Sequence, residues 1–232
     1  MQIPRSTHRT AAAPRSEAPA DAALVASRLE DLHVEARTEL DHGDALELLV
    51  ATVLSAQTTD VRVNQVTPEL FSRWPDPAAL AGAEEAAVAE VVRPLGMGPT
   101  RARRIIALAQ ELLARHGGRV PDDQAGGAAV PGGGRKTAQV VRGAWFGHSL
   151  LAVDTHVGRL SRRLGWTTQN DPRKVEEDVV ARMEADGTGA DAEELTVLGL
   201  RLILHGRRVC TARAPRCGQC VLSDLCPRVG VS

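Results

Sequence analysis

Val130-Pro131-Gly132-Gly133-Gly134-Arg135-Lys136-Thr137 is the stretch on which the fold turns. A glycine-rich turn that opens a helix and is followed by Lys-Thr invites a phosphate-cradling P-loop. That motif needs Gly immediately before the lysine and follows a strand. Here Arg135 precedes Lys136, and residues 125–129 are only Ala and Gly. The stretch is read instead as a tight hairpin joining two helices across about residues 124–146. Its glycines let backbone N–H groups at a helix start approach one phosphate oxygen. Contacts of that kind from Gly132, Gly134 and Arg135, in a turn set by Pro131, would anchor a nucleic-acid backbone without reading bases. A plain Pro-Gly turn between helices accounts for the same residues.

Outward from the hairpin, almost every apolar repeat has helical spacing. Predicted helices cover 23–39, a segment from Asp44 to about 54, one from Thr58 or Thr59 with a bend or early end at Pro68, and 84–93. Further helices cover 99–115, 134–146, 154–165, 172–185 and 190–205. Asp44 with Glu47 resembles a capping box. Hairpin-strand signals are absent, and Leu150-Leu151-Ala152-Val153 is too short to build a sheet. Aromatics are 2% of the chain and Tyr is missing, so Val, Leu and Ala must fill the core. The fold class is all-α. Residues 1–23, rich in Ala, Pro, Arg, Ser and Thr with no apolar run, read as a disordered tail. No run approaches the ~18 apolar residues of a membrane span.

The net charge of −1 hides a segregation. Residues 93–163 carry twelve Lys or Arg against four Asp or Glu, and 164–200 carry three against nine. Residues 201–232 return to six Arg and one acid, Asp224. Two basic blocks can face a phosphate backbone, although solvated helix faces give the same pattern.

Three further features carry chemistry. Cys210, Cys217, Cys220 and Cys226 are the only cysteines and lie within seventeen residues, as C-x6-C-x2-C-x5-C. Four thiolates on a short loop can close around one metal centre, and their clustering indicates a reducing compartment. Zinc and an iron–sulfur cluster both satisfy that spacing. In Ala152-Val153-Asp154-Thr155-His156, Asp154 is a helix N-cap whose carboxylate could also stabilise a developing cation. Leu54-Ser55-Ala56-Gln57-Thr58-Thr59-Asp60 is a polar loop between helices.

Together, LLVATVLSAQTTDVRVN, VPGGGRKTA, AVDTHVGRLSRRLG, LILHGRRVC and the cysteine loop, in that order, resemble the endonuclease III family of DNA base-excision repair glycosylases. That family lies within the helix-hairpin-helix superfamily, and the resemblance covers about residues 24–228. It implies two helical domains flanking a DNA-binding cleft: a six-helix domain over 38–148 bearing the hairpin, and a second joining 24–37 to 149–232. The cysteine loop would hold a [4Fe–4S] cluster, stiffening Arg208, Arg213 and Arg216 against phosphates. Lys136 would attack the sugar C1′ of a flipped nucleotide, and Asp154, across the groove mouth, would stabilise the cationic sugar. Gln57 would fill the vacated space, and Met97 lies where the family carries an apolar wedge.

The implied activity is removal of oxidised pyrimidines and β-elimination at the abasic site, by a monomer acting on duplex DNA with a damaged base or abasic site. The implied location is the cytoplasm, nucleoid-associated if the source is bacterial. Rivals are the adenine-glycosylase branch, which normally lacks the hairpin lysine, and a DNA-binding iron–sulfur module without chemistry. One departure stands out. Gly133 replaces a bulky aliphatic, while Gly127 and Val130 replace leucines, which predicts a looser hairpin.

Overall fold

A computed structural model of the chain describes residues 16–187 and 194–231. The described residues contain helices and turns but no strand. The α-helices are α1 (Ala22–Leu32), α2 (Ala45–Leu54), α3 (Asp60–Arg73), α4 (Pro77–Ala81), α5 (Glu85–Val92), α6 (Gly98–His116), α7 (Gln124–Ala129), α8 (Arg135–Ala144), α9 (Thr155–Arg163), α10 (Pro172–Ala185) and α11 (Glu194–Arg208). Short 3-10 turns occupy Arg93–Leu95 and Cys217–Gln219. Two compact units result, one of Arg37–Ala152 and one joining Met1–Ala36 to Val153–Ser232.

Capping is the common local device. Asp21, Asp44, Thr59, Asp76, Asp123, Asp154 and Asp171 each accept a hydrogen bond from a first-turn amide. At α2 the reciprocal half of the box falls one residue early, because Glu47 Oε2 accepts from Gly43 N–H at 2.6 Å.

The 37–152 unit is built around α2, whose residues 46 and 48–54 are all buried. All-round burial marks a central helix. Around it α6 packs against α4 and α5, and α8 packs against α2. Core side chains include Leu49, Leu54, Leu70, Leu80, Val88, Ile105, Leu108 and Leu112. In the other unit α11 packs on α9 and α1, with Leu29, Leu160, Leu164, Val179, Met183 and Leu202 buried.

Several expectations need correction. α3 does not end at Pro68 but continues to Arg73, with Pro68 on its exposed face. Buried Val63, Val66, Thr67 and Leu70 hold the helix on both sides of it. α1 stops at Leu32 rather than Glu39: the buried His33 closes it with N–H bonds to Leu29 and Glu30 carbonyls, and Val34 beyond is 75% exposed. The disordered tail expected over 1–23 meets packed structure at its end. Ala20 donates to the Leu164 carbonyl at 2.8 Å, and its own carbonyl accepts from Trp166 Nε1 at 2.7 Å. Ala22 N–H reaches Asp186 Oδ2 at 2.8 Å. The remainder of that tail, residues 1–15, lies outside the described residues, as does the start of the helix expected from 190.

Candidate functional site

The hairpin forms as the sequence reads. α7 is capped by Asp123, whose carboxylate accepts from Gly126 N–H at 2.7 Å. The chain then turns through Val130–Gly134, with Gly132 at φ 80° and Gly133 N–H bonded to the Val130 carbonyl at 2.8 Å. Gly134 is the N-cap of α8, no side chain caps the helix, and a Cβ at Gly134 would meet nothing within 4 Å. The start of α8 therefore has first-turn amides that no side chain caps, which is the arrangement a phosphate contact uses. Arg135 and Lys136, in that first turn, are exposed.

The hairpin is not loose. A Cβ at Gly133 would lie 2.7 Å from the carbonyl oxygens of Gly127 and Val130, and one at Gly127 would lie 2.9 Å from the Ala138 methyl. The small residues let α7 and the turn close tightly on each other, so a bulky residue has no place at 133. A Cβ at Gly132 would meet Val53 of α2 and the Arg104 side chain of α6. The hairpin thus seats on the end of α2 and on α6.

Gln57 and Met97 project from the two loops beside that seat. Both are exposed, and both have left-handed backbone, φ 62° and 53°. Arg101, buried in the first turns of α6, bonds backbone carbonyls of both loops. Sequence reading missed it, although it shares a face with Ile105, Leu108 and Leu112, so periodicity alone places this cation inward.

In the other unit, Asp154 Oδ1 accepts from the N–H groups of His156 and Val157, both at 2.8 Å, and caps α9. His156 Nδ1 lies 3.1 Å from Arg159, and burial pushes this imidazole below its ordinary range against the pull of Asp154. α9 also carries two cations missed in the sequence. Arg159 donates to the carbonyls of Gly206 and Cys210. Arg163 donates to the carbonyls of Thr211 and Ala212 and to Cys210 Sγ.

Cys210, Cys217, Cys220 and Cys226 are free thiols that line one cavity together with Arg163, Pro215, Arg216 and Arg228. Burial pushes Cys220 up to about 11 and raises Cys226 as well. Four free thiols lining one cavity are a donor set that fits an iron–sulfur cluster. His205, buried behind them, approaches Cys220 Sγ with Nε2 at 3.3 Å. Burial, then its edge-on neighbour His33, lowers it to about 4. Arg208, Arg213 and Arg216 are exposed around the loop.

Residues 50–184 match the HhH-GPD superfamily base excision DNA repair protein, and 210–226 match the iron–sulfur binding domain of endonuclease III. Endonuclease III of Synechocystis sp. is 41% identical over 207 residues, covering 88% of this chain and 90% of that one. The chain belongs to the endonuclease III family. Endonuclease III of Escherichia coli is 38% identical across 87% of this chain and 92% of its own. A solved endonuclease III trapped on DNA as a covalent intermediate shares 34% identity at a TM-score of 0.81, covering 89% of this chain and 94% of that one. A thermostable thymine-DNA glycosylase, at 21% identity and a TM-score of 0.74, shares the fold. As a family member the chain is a base-excision DNA repair enzyme with a [4Fe–4S] cluster, and the matched iron–sulfur binding domain spans the four cysteines. Among the described residues no helix is long and apolar enough to cross a membrane.

Proposed function

We propose that this chain removes oxidised pyrimidines from duplex DNA and then cuts the strand at the abasic site, acting as a monomer in the cytoplasm. The observation that carries the reading is Lys136, exposed in the first turn of α8 beside the open backbone of the hairpin. A related endonuclease III trapped covalently on DNA supports a nucleophile of this kind.

The hairpin amides and the exposed Arg135 hold one phosphate, and the lesion nucleotide is flipped out of the stack. Gln57 and Met97 occupy the gap, which the estranged adenine of the trapped relative supports. The Lys136 Nζ lone pair attacks C1′. The C1′–N bond breaks with its electron pair leaving on the base, which takes up a proton. The Asp154 carboxylate stabilises positive charge on the sugar as that bond opens. Ring opening yields a Schiff base; loss of a C2′ proton then expels the 3′ phosphate, and water releases Lys136. Cys210, Cys217, Cys220 and Cys226 would hold the cluster, which would stiffen the end of α11 at Arg208 and the loop bearing Arg213 and Arg216 and supply no step of this chemistry.

Borohydride reduction on a duplex carrying thymine glycol or dihydrouracil tests the reading. A covalent adduct is expected from the intact protein and none from Lys136→Gln. Tight binding to the lesion with no adduct would leave a DNA-binding protein without lyase chemistry.

A further inference from the structure

We propose that Arg101 is the positioning residue that holds Gln57 and Met97 in the backbone geometry from which they enter the DNA stack. The inference rests on the reading of those two side chains given above.

Arg101 is 5% exposed, and the acceptors of its hydrogen bonds are backbone carbonyls. Its Nε donates to Gly96 at 2.8 Å, Nη1 to Leu54 at 2.6 Å, and Nη2 to Ala56 at 2.8 Å and, more weakly, to Leu95 at 3.4 Å. These carbonyls are the orphans left where α2 and the 3-10 turn at 93–95 end. At the end of α2 the Thr58 N–H bonds Ser55, leaving Leu54 and Ala56 to the guanidinium. Burial, then the neighbouring Arg104, disfavour the charge at Arg101, so this cation is an expensive way to close two helix ends. An apolar residue and a different turn would be cheaper if closure were the whole purpose.

The acceptors explain the expense. Among the described residues only Gln57, Met97 and Arg228 combine a side chain with positive φ. Left-handed backbone is unfavourable for such residues and persists where surrounding contacts fix it. Gln57 directly follows Ala56, and Met97 directly follows Gly96. One guanidinium therefore grips the peptide preceding each strained residue, in loops forty positions apart. The planar fork sets the distance between the two loops as well as their individual shape. Ile105, Leu108 and Leu112 on the same face of α6 lock the helix that carries the fork. The hairpin, seated on Val53 and Arg104, lies against the same corner. Gln57 and Met97 are thus presented pre-formed, and the ordering cost is met in folding rather than on DNA.

Single-turnover excision, with 2-aminopurine opposite the lesion to report unstacking, tests this on the cluster-loaded full chain. Arg101→Met is expected to lose about 100-fold in excision rate, the scale set by small misplacements of reacting groups. The 2-aminopurine rise should fall with it, while cluster absorbance is kept. Arg101→Lys, which keeps charge without the fork, should recover part of both. In a Gln57→Ala/Met97→Ala background, Arg101→Met should cost little more. A full additional loss in that background, or wild-type excision by Arg101→Met, overturns the proposal. Wild-type excision by Gln57→Ala/Met97→Ala alone would instead overturn the reading of those two side chains as inserting groups. Where Arg101→Met fails to fold, Arg101→Lys takes its place in the same cycle, with the same two outcomes deciding.

Discussion

Two irregular regions, one in each unit, are tied down by a guanidinium reaching from a neighbouring helix to backbone carbonyls. Arg101 serves the loops at 54–57 and 95–97, and Arg163 serves the cysteine loop at 210–212. The first region is complete with protein atoms alone: orphan carbonyls meet one buried cation, and the adjoining hairpin closes so tightly that a Cβ at Gly133 would lie 2.7 Å from two carbonyl oxygens. The second gathers four half-buried thiols round one cavity, and burial raises Cys220 and Cys226, which a cationic centre between the sulfurs would offset. One region stores its precision in packing, and the other borrows it from a cofactor.

The largest effect should come from removing that cofactor. Cys220→Ser is expected to abolish cluster absorbance and, in hydrogen exchange, to leave 209–231 near the protection of unstructured chain. Amides of α6 and α8 should keep theirs; equal loss in both regions would erase the distinction. On the other side, Gly133→Leu should destabilise the hairpin unit by about 1–3 kcal/mol, because its side chain meets two carbonyls that cannot retreat. A melt unchanged by that substitution would mean that the turn has slack. Arg163→Met should cost about 1–3 kcal/mol by removing the charge-assisted bonds to the Thr211 and Ala212 carbonyls. It should also shorten the lifetime of the cluster in air, which Arg101→Met should not.

Acid should separate the two regions as well. His33 and His205, the buried histidines, both lie in the cysteine-bearing unit. Burial, then Arg208 and Arg201, hold His33 below its ordinary range. A depressed folded value means that the unfolded chain protonates first. The stabilising contribution is therefore whole above ~6.5 and is lost as pH falls below it. His33→Leu should reduce that slope without abolishing it, since His205 remains, as followed by denaturant midpoints against pH. The smallest effect belongs to Trp166→Phe, which gives up the indole bond to Ala20 at 2.7 Å for about 1 kcal/mol. It measures how firmly the segment before α1 belongs to its unit.

Most of the helices could be read directly because their signals are local. A capping Asp, a period of 3.6 and a terminal glycine each involve residues within a turn of one another. The hairpin and the cysteine loop are local in the same sense, and their order along the chain carried the family resemblance. The errors came where a local rule met a distant contact. Pro68 should end a helix, yet core residues on either side carry α3 through it. Gly133 should loosen a turn, yet Gly127 and Val130 close onto it. Residues 19–23 have a tail's composition, yet Leu164, Trp166 and Asp186 bind their backbone.

The chain's own order of residues was enough to give the all-helical class and, through the ordered motifs, the resemblance to a base-excision repair family; Lys136 and the four cysteines were picked out as candidates because their spacing along a helix or loop is local. Folding alone revealed that Arg101 bridges two loops and that Arg163 and His205 lie against the cysteine loop. Partners more than forty positions away, as Leu54 is from Arg101, are chosen by packing of the core, and no local pattern records them.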